Sequence, residues 1–223
     1  MNDITTNLTT DVVQLDLARP DRIGFGEAVL CEPKTVEQIV RALDQARDAG
    51  QAMLLTRLQP QQFAALPAEH RTGLEYDPLS RTAFRGQPAP RRACAPIAVV
   101  TGGTSDIPVA REAIRSLAFH GYPTSEIYDV GVAGLWRLQR RLDDLARHPV
   151  IIAVAGMDAA LPTVLAGLVP ALVIAVPTSV GYGVAEGGRT ALNSLLTSCA
   201  PGLVVTNIDN GYGAACAAMR SMR

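Results

Sequence analysis

The sequence predicts an α/β protein: a three-layer sandwich around a parallel sheet, preceded by a small αβ domain. Three observations carry this expectation. Five short runs rich in β-branched and apolar residues recur at 97–100, 125–130, 150–155, 172–176 and 203–206. The segments between them repeat apolar residues at helical spacing, and near-continuous apolar strands are what a sheet covered on both faces requires. A stretch broken by Pro88, Pro90 and Pro96 separates this pattern from a shorter one upstream.

Composition narrows the functional classes. The chain has 223 residues, 48% hydrophobic and 18% charged, enough to bury a large core. Twenty basic residues against 21 acidic ones give a net charge of −1, which offers no electrostatic footprint for nucleic acid or an anionic membrane. An anionic ligand must therefore be held by local devices. The N-terminus shows no basic region followed by an apolar run, and no stretch approaches the length of an apolar span. The expected location is cytoplasmic. Cys31, Cys94, Cys199 and Cys216 are widely spaced with no CxxC, and His70, His120 and His148 are isolated. Neither a disulfide scaffold nor a zinc or histidine metal site is expected.

Taken in order, residues 1–24 read as a flexible polar tail with one short apolar stretch, 12–17, either partly disordered or draped on a neighbour. Residues 25–84 form the small domain. There, 27–31 suits a strand, and Thr35 with Gln38 makes a capping box for a helix carrying Val36, Ile39, Val40, Leu43 and Ala46, which stops at Gly50. Residues 52–56 follow as a buried strand ending in Arg57, and 60–65 start a short helix. Residues 85–96 are read as a linker, and 97–223 as the main domain. A helix over 108–120 carries Ala110, Ile114 and Leu117 and stops at Gly121. The next, over 134–147, carries Leu135, Leu138, Leu142 and Leu145, and its arginines, Arg137, Arg140, Arg141 and Arg147, read as a solvated face.

In such a sheet, ligands gather at the carboxyl ends of the strands. After the first strand of the main domain come Gly102, Gly103, Thr104, Ser105 and Asp106, and then a helix start whose N–H groups suit a phosphate; an ordinary N-cap with Pro108 in the first turn is the alternative. Gly131 and Gly134 after the second strand, and Asp158 after the third, are each either turn and cap residues or parts of a site. Ser179, Gly181 and Gly183 follow the fourth strand, and Asn207, with Asp209 and Asn210, the fifth. Glycine-bearing loops so concentrated at one edge suggest that Asp158, Thr104, Ser105 and the Cys199 thiol converge on one crevice. Free cysteines are commonly buried, but Cys199 adjoins Pro201 and Gly202 at a helix end, whereas Cys31 lies in a strand, Cys94 in the proline-rich stretch and Cys216 on a helix among alanines. Arg57 suits either a surface salt bridge or an anionic part of a substrate.

The segments GGTSDIPVA, YDVGVAGLWRL, VAGMDAALPTVLAGLV, VPTSVGYG, LNSLLTSCA and NIDNGYGAA together resemble the LarB family, as do EAVLCEPKTVEQI and LLTR in the first domain. That family is a carboxylase and hydrolase that begins synthesis of the nickel-pincer nucleotide of lactate racemase. The resemblance implies nicotinic acid adenine dinucleotide and CO2 as substrates, carboxylation at C5 of the pyridinium ring, and loss of AMP. It implies Cys199 as the nucleophile and Asp158, at an acidic family position often held by glutamate, as the base. By likeness to the PurE-type loop, Ser105 and the Gly102 and Gly103 backbone would hold phosphate and Asp106 a ribose hydroxyl, with Thr104, Gly131, Gly134, Ser179, Gly181, Gly183, Asn207 and Arg57 as further substrate contacts. Mg²⁺ is expected with the diphosphate, with no ligand set visible, and neither biotin nor ATP is expected. NAD is expected as an unproductive ligand that adds to Cys199, and the assembly as a homo-oligomer, an octamer of the PurE kind.

Residues 97–216 are more distantly similar to the PurE phosphoribosylaminoimidazole carboxylases, which share a flavodoxin-like fold and whose GSxSD loop resembles 102–106. Those enzymes place a histidine and an arginine in the loop after the second strand, where 131–134 has neither. A purine-type carboxylase or mutase is thus the second reading, and a non-catalytic nucleotide-binding module the third.

Overall fold

The computed structural model describes residues 13–222, which divide into two compact units meeting between Pro88 and Ala89. In the first unit, helix α1 (Arg19–Ile23) precedes strand β1 (Ala28–Leu30), helix α2 (Val36–Asp48), strand β2 (Met53–Thr56), helices α3 (Pro60–Ala65) and α4 (Ala68–Arg71), and strands β3 (Leu74–Asp77) and β4 (Thr82–Arg85). The sheet order is β1-β2-β4-β3, with β1 and β2 parallel and the other pairs antiparallel.

The capping box forms as read: Thr35 Oγ1 accepts from the Gln38 N–H at 3.3 Å, and Gln38 Oε1 accepts from the Thr35 N–H at 3.0 Å. α2 lays Ile39, Leu43 and Ala46 on the sheet against Met53 and Leu55. Within the stretch read as a tail, residues 13–24 instead belong to this unit. The Leu15 N–H donates to Gln45 Oε1 and Gln45 Nε2 donates to the Val13 carbonyl, at 3.1 and 2.6 Å, because Val13 and Leu15 bury against α2. Residues 1–12 lie outside the described residues.

The second unit runs β5 (Ile97–Thr101), α5 (Ile107–Phe119), β6 (Thr124–Ile127), α6 (Leu135–Gln139), α7 (Leu142–Leu145), β7 (Val150–Ala155), α8 (Ala160–Ala166), β8 (Leu172–Pro177), α9 (Arg189–Leu196), β9 (Leu203–Val205) and α10 (Gly211–Ser221). Its five strands are all parallel in the order β6-β5-β7-β8-β9, the flavodoxin-like arrangement. One face carries Ala98, Val100, Ile151, Ala153 and Val173 against Leu138, Leu145, Leu161, Leu165 and Leu195 of α6 to α9. α5 and α10 pack together on the other face, with α10 over β7 and β8. Every residue of β5 and β7 is buried, which explains their unbroken apolar sequences.

Two stretches differ from the sequence reading. The helix expected over 134–147 breaks into α6 and α7 at Arg140–Arg141. The proline-rich stretch is not all linker, since Arg85 ends β4 and residues 89–92 belong to the second unit. Ala89 N–H donates to the Phe119 carbonyl at 2.9 Å and Arg92 N–H to that of Gly121 at 2.7 Å, while the Arg92 guanidinium lies 4.6 Å from the Tyr122 ring centre. Gly121, with φ of 79°, permits this: a Cβ there would stand 2.2 Å from the Pro90 carbonyl oxygen.

Candidate active site

In the strand order, β5 lies between β6 and β7, so the chain leaves β5 on one side and returns on the other. Loops diverge at such a point and leave a crevice at the carboxyl edge. Here a cleft of about 560 Å³ opens among three loops: Gly102, Gly103, Ser105 and Asp106 after β5; Asp129, Gly131 and Val132 after β6; and Gly156, Met157 and Asp158 after β7. Arg137 of α6, the start of α8 and Val180 complete its walls. The volume suits a small organic ligand.

Glycine brings these loops together. A Cβ on Gly131 would come within 2.6 Å of the Gly102 carbonyl oxygen, and one on Gly156 within 2.2 Å of that of Val180. Only hydrogen fits at either position. The same rim holds left-handed backbone at Asp129, Met157 and Ala159, with φ of 58°, 55° and 49°. Such conformations cost free energy for residues with a Cβ and concentrate at ligand sites.

Asp106 anchors the floor. Its Oδ2 accepts from the Gly103 N–H at 2.9 Å, its Oδ1 from the Thr178 hydroxyl at 2.7 Å, and its carboxylate also accepts from the Gly156 N–H. Burial pushes its pKa above the usual carboxylate range, against those three donors, which pull it down. A carboxylate has about four acceptor positions, and three of them are spent on holding the loops after β5, β7 and β8. The first-loop N–H groups beside it open the 13-residue helix α5 through a single 3₁₀ turn, Thr104–Asp106. N–H groups so placed at a helix start favour an anion.

Arg137 supplies the cation. Its Nη1 meets Asp129 Oδ2 at 2.6 Å across the cleft wall, and its guanidinium packs where a side chain on Gly134 would stand, Nε being 2.8 Å from a Cβ built there. The solvated-face reading of this arginine is corrected: α6 is so short that its first turn borders the crevice. Helical periodicity marks the apolar face of a helix but does not say that its other face abuts a site. Arg140, by contrast, lies over the exposed Trp136 ring, 4.9 Å from its centre.

Of the residues singled out from the sequence, Gly102, Gly103, Ser105, Asp106, Gly131 and Asp158 line this cleft. Asp158 is exposed, its Oδ1 accepting from the Ala160 N–H at 3.4 Å. Thr104, Gly134, Ser179, Gly181, Gly183 and Asn207 are not among the lining residues. Ser179 instead donates its N–H to Asp209 Oδ1 at 2.8 Å, and the Asn207 carboxamide accepts from the Ile208 N–H at 2.9 Å. Arg57 lies in the first unit, facing Glu32 at 3.5 Å.

The expectation that Cys199 joins the crevice from its own chain is corrected. Cys199 precedes β9 by four residues, and β9 runs parallel to β8, pairing Leu203 with Val173 near the start of that strand. The thiol therefore stands on the amino-edge side of the sheet, whereas the cleft opens at the carboxyl edge. The neighbouring Ser198 Oγ accepts from Thr163 Oγ1 of α8 at 2.9 Å, which places this turn on the flank of α8. Cys199 is the one exposed cysteine: Cys31 is fully buried and pushed up to about 12 by desolvation, and Cys94 and Cys216 are half-buried.

A five-stranded parallel sheet in this order, with a cleft at its switch point, defines a flavodoxin-like α/β fold. Residues 96–223 match the AIR carboxylase family, and residues 7–87 match the LarB/PurE-like N-terminal domain. The chain belongs to the AIR carboxylase family, in the LarB arrangement that joins these two domains, and is a carboxylase/mutase-like enzyme. It is 35% identical over 209 residues to an uncharacterized protein of Methanocaldococcus jannaschii, covering 91% of this chain and 80% of that one. It is also 32% identical over 130 residues to the N5-carboxyaminoimidazole ribonucleotide mutase of the same organism, covering 55% of this chain and 76% of the mutase. No described helix is long and apolar enough to cross a membrane.

Proposed function

We propose that the protein carboxylates nicotinic acid adenine dinucleotide at C5 of its pyridinium ring with CO2 and hydrolyses the phosphoanhydride with one water. The products are AMP and pyridinium-3,5-biscarboxylic acid mononucleotide, the first intermediate of a nickel-pincer cofactor. The observation that carries this reading is the meeting of the 102–106 loop, Arg137 and Asp158 in one cleft of a chain with both LarB-type domains. An anion cradle, a cation and an exposed carboxylate are what a phosphorylated substrate that must lose a ring proton requires.

The chemistry follows from the ring. A pyridinium C5 is electron-poor and does not attack CO2. Addition of the Cys199 thiolate at C4 turns the ring into a dihydropyridine whose C5 is an enamine carbon nucleophile. C5 then bonds to CO2, leaving a carboxylate on C5 and an iminium at C6. Asp158 takes the C5 proton, and departure of the thiolate from C4 restores the aromatic ring. Neither biotin nor ATP is needed, because the acceptor ring itself is activated. NAD, also a pyridinium, adds to the same thiol and stops there.

In this reading the thiol enters the cleft from a neighbouring copy in a homo-oligomer, expected to be an octamer. Supporting it, Cys199 is exposed on the far edge of its own sheet, and Tyr182, Val184 and Leu196 leave 77%, 94% and 64% of their surface uncovered. Apolar side chains so exposed mark a contact surface.

No cluster of three or more histidine, cysteine, aspartate or glutamate side chains able to hold a metal occurs among the described residues. Mg²⁺ prefers one or two carboxylates together with substrate phosphates, and Asp129 and Asp158 fit that mode. Bound there with the diphosphate, it would neutralise phosphate charge.

Incubation with nicotinic acid adenine dinucleotide, bicarbonate and Mg²⁺, followed by mass spectrometry, tests the reading: a mononucleotide with one added carboxyl and an equivalent of AMP are expected. The second reading, a purine-type mutase, is favoured by the 32% identity to that enzyme. It ranks behind because no histidine lines the cleft and because of the added N-terminal domain.

A further inference from the structure

The cation of the cleft wall spends little of its hydrogen-bonding capacity inside the protein. A guanidinium carries five N–H donors in one plane. Arg137 commits Nη1 to Asp129 Oδ2 at 2.6 Å, and its side chain makes no other hydrogen bond or ion pair among the described residues. It lines the cleft and is 31% exposed there. Two neighbours fix where the group rests. Nε and Nη2 lie over Gly134, 2.8 and 3.2 Å from where a Cβ would stand, so only a glycine leaves room for them. Asp129 is itself held, its N–H donating to the buried Thr101 Oγ1 at 3.1 Å with φ of 58°.

The wall beside this group is apolar. Ala133, four residues before Arg137 and so about one turn away, lines the cleft with it, as do Val132, Ala155 and Leu161. Walls of this kind suit a flat ring, whose orientation is then fixed by a few polar groups. A phosphate has its own place at the start of α5, where N–H groups favour an anion. The guanidinium is thus left for a second negative group, next to the wall that suits the ring. Its planar fork matches the two coplanar oxygens of a carboxylate.

We infer that Arg137 determines specificity for the ring substituent: it takes the carboxylate of the pyridinium ring and so separates nicotinic acid adenine dinucleotide from NAD. The identity of the ligand rests on the proposed function; the uncommitted fork beside an apolar wall is independent of it. The two dinucleotides differ only at this substituent. A carboxylate meets two N–H donors as an ion pair, whereas a carboxamide offers one neutral oxygen and an NH2 that can only donate, against a group that can only donate. Gly134 is a positioning residue that acts through Arg137.

The test uses the full chain carrying Cys199→Ser, in which the dinucleotides bind without reacting, and calorimetry with nicotinic acid adenine dinucleotide and with NAD. This parent is expected to bind the first about tenfold or more tighter than the second. Arg137→Gln removes the charge and is expected to bring that ratio to about one, with NAD held within about twofold of the parent. Gly134→Ala, whose methyl displaces the guanidinium without removing it, is expected to give an intermediate ratio at an unchanged melting temperature. Equal weakening of both dinucleotides by Arg137→Gln is the pattern of a phosphate contact and overturns the inference. A ratio that neither variant moves, or binding of neither dinucleotide, overturns it as well. Failure of the proposed function reads differently. If the ratio follows Arg137 while the wild type adds no carboxyl, that function falls and the inference stands; if carboxylation proceeds and the ratio ignores Arg137, the reverse holds.

Discussion

Thr178 donates its hydroxyl to Asp106 Oδ1 at 2.7 Å across 72 residues of sequence, joining the loop after β5 to the end of β8. Thr178 is fully buried and Asp106 is 4% exposed, so this bond is shielded from water. The cleft floor rests on it, because the same carboxylate also holds the Gly103 and Gly156 N–H groups.

Thr178→Val removes that donor at constant shape. The buried carboxylate loses one of its hydrogen bonds, at a cost of about 1–3 kcal/mol in unfolding free energy. The sign of the pH dependence follows. The folded-state pKa of Asp106 is already raised and rises further in the variant, so the folded state holds its proton more tightly than the unfolded one. The stability penalty is then small in acid and grows as pH rises through the folded pKa. Urea unfolding of both proteins at pH 4 and pH 7 checks it: the gap between them must widen at the higher pH.

Gly131→Ala probes the closeness of the loops. Its Cβ would meet the Gly102 carbonyl at 2.6 Å, backbone that has no side chain to move aside. The loops after β5 and β6 must part, costing about 1–3 kcal/mol of overpacking. Both lower stability and a raised KM for the nucleotide are expected, read from a melting curve and from steady-state kinetics.

Much of this arrangement was legible in the sequence. The five strands of the second unit stood out because strands buried on both faces are written as continuous apolar runs, and Thr35 with Gln38 announced the start of α2. The hairpin of β3 and β4 did not stand out, since LEYD and TAFR are four-residue strands with no glycine turn between them. Arg137 was hidden because its role depends on where α6 stops, not on which face of it is apolar. The side of the sheet on which Cys199 lies was open to inference from order alone: a residue between a helix and the next parallel strand approaches the amino edge.

His120 sets an acid limit. Burial, and next the positive charge of Arg92, push its pKa down to about 4 from an ordinary 6.5. The unfolded chain therefore binds this proton first, and the stability that neutral His120 contributes is fully present above pH 6.5 and is lost as pH falls towards 4. The shift corresponds to about 3 kcal/mol over that window. In His120→Gln the melting temperature should vary less between pH 7 and pH 4.5 than in the wild type, and an equally steep fall would show that another group is responsible.

A thiol supplied by a neighbouring copy predicts complementation. Cys199→Ser and Arg137→Ala should each be inactive alone. Co-refolded, they should regain part of the wild-type rate, because some sites then combine an intact cleft with an intact thiol. Light scattering should report an oligomer for both variants. Absence of any recovery from mixed oligomers would place the thiol and the cleft in one subunit.

The most direct measurement is the transfer of ¹³C-bicarbonate into nicotinic acid adenine dinucleotide by the wild type and by Cys199→Ser, with the product mapped by mass spectrometry and AMP quantified. A hydroxyl is a poor nucleophile towards the ring and a poor leaving group from it. The wild type is therefore predicted to incorporate one labelled carboxyl per AMP released, and Cys199→Ser to bind the dinucleotide without incorporating label. Label uptake by Cys199→Ser at the wild-type rate, or none by the wild type while it interconverts carboxyaminoimidazole ribonucleotides, would contradict the account.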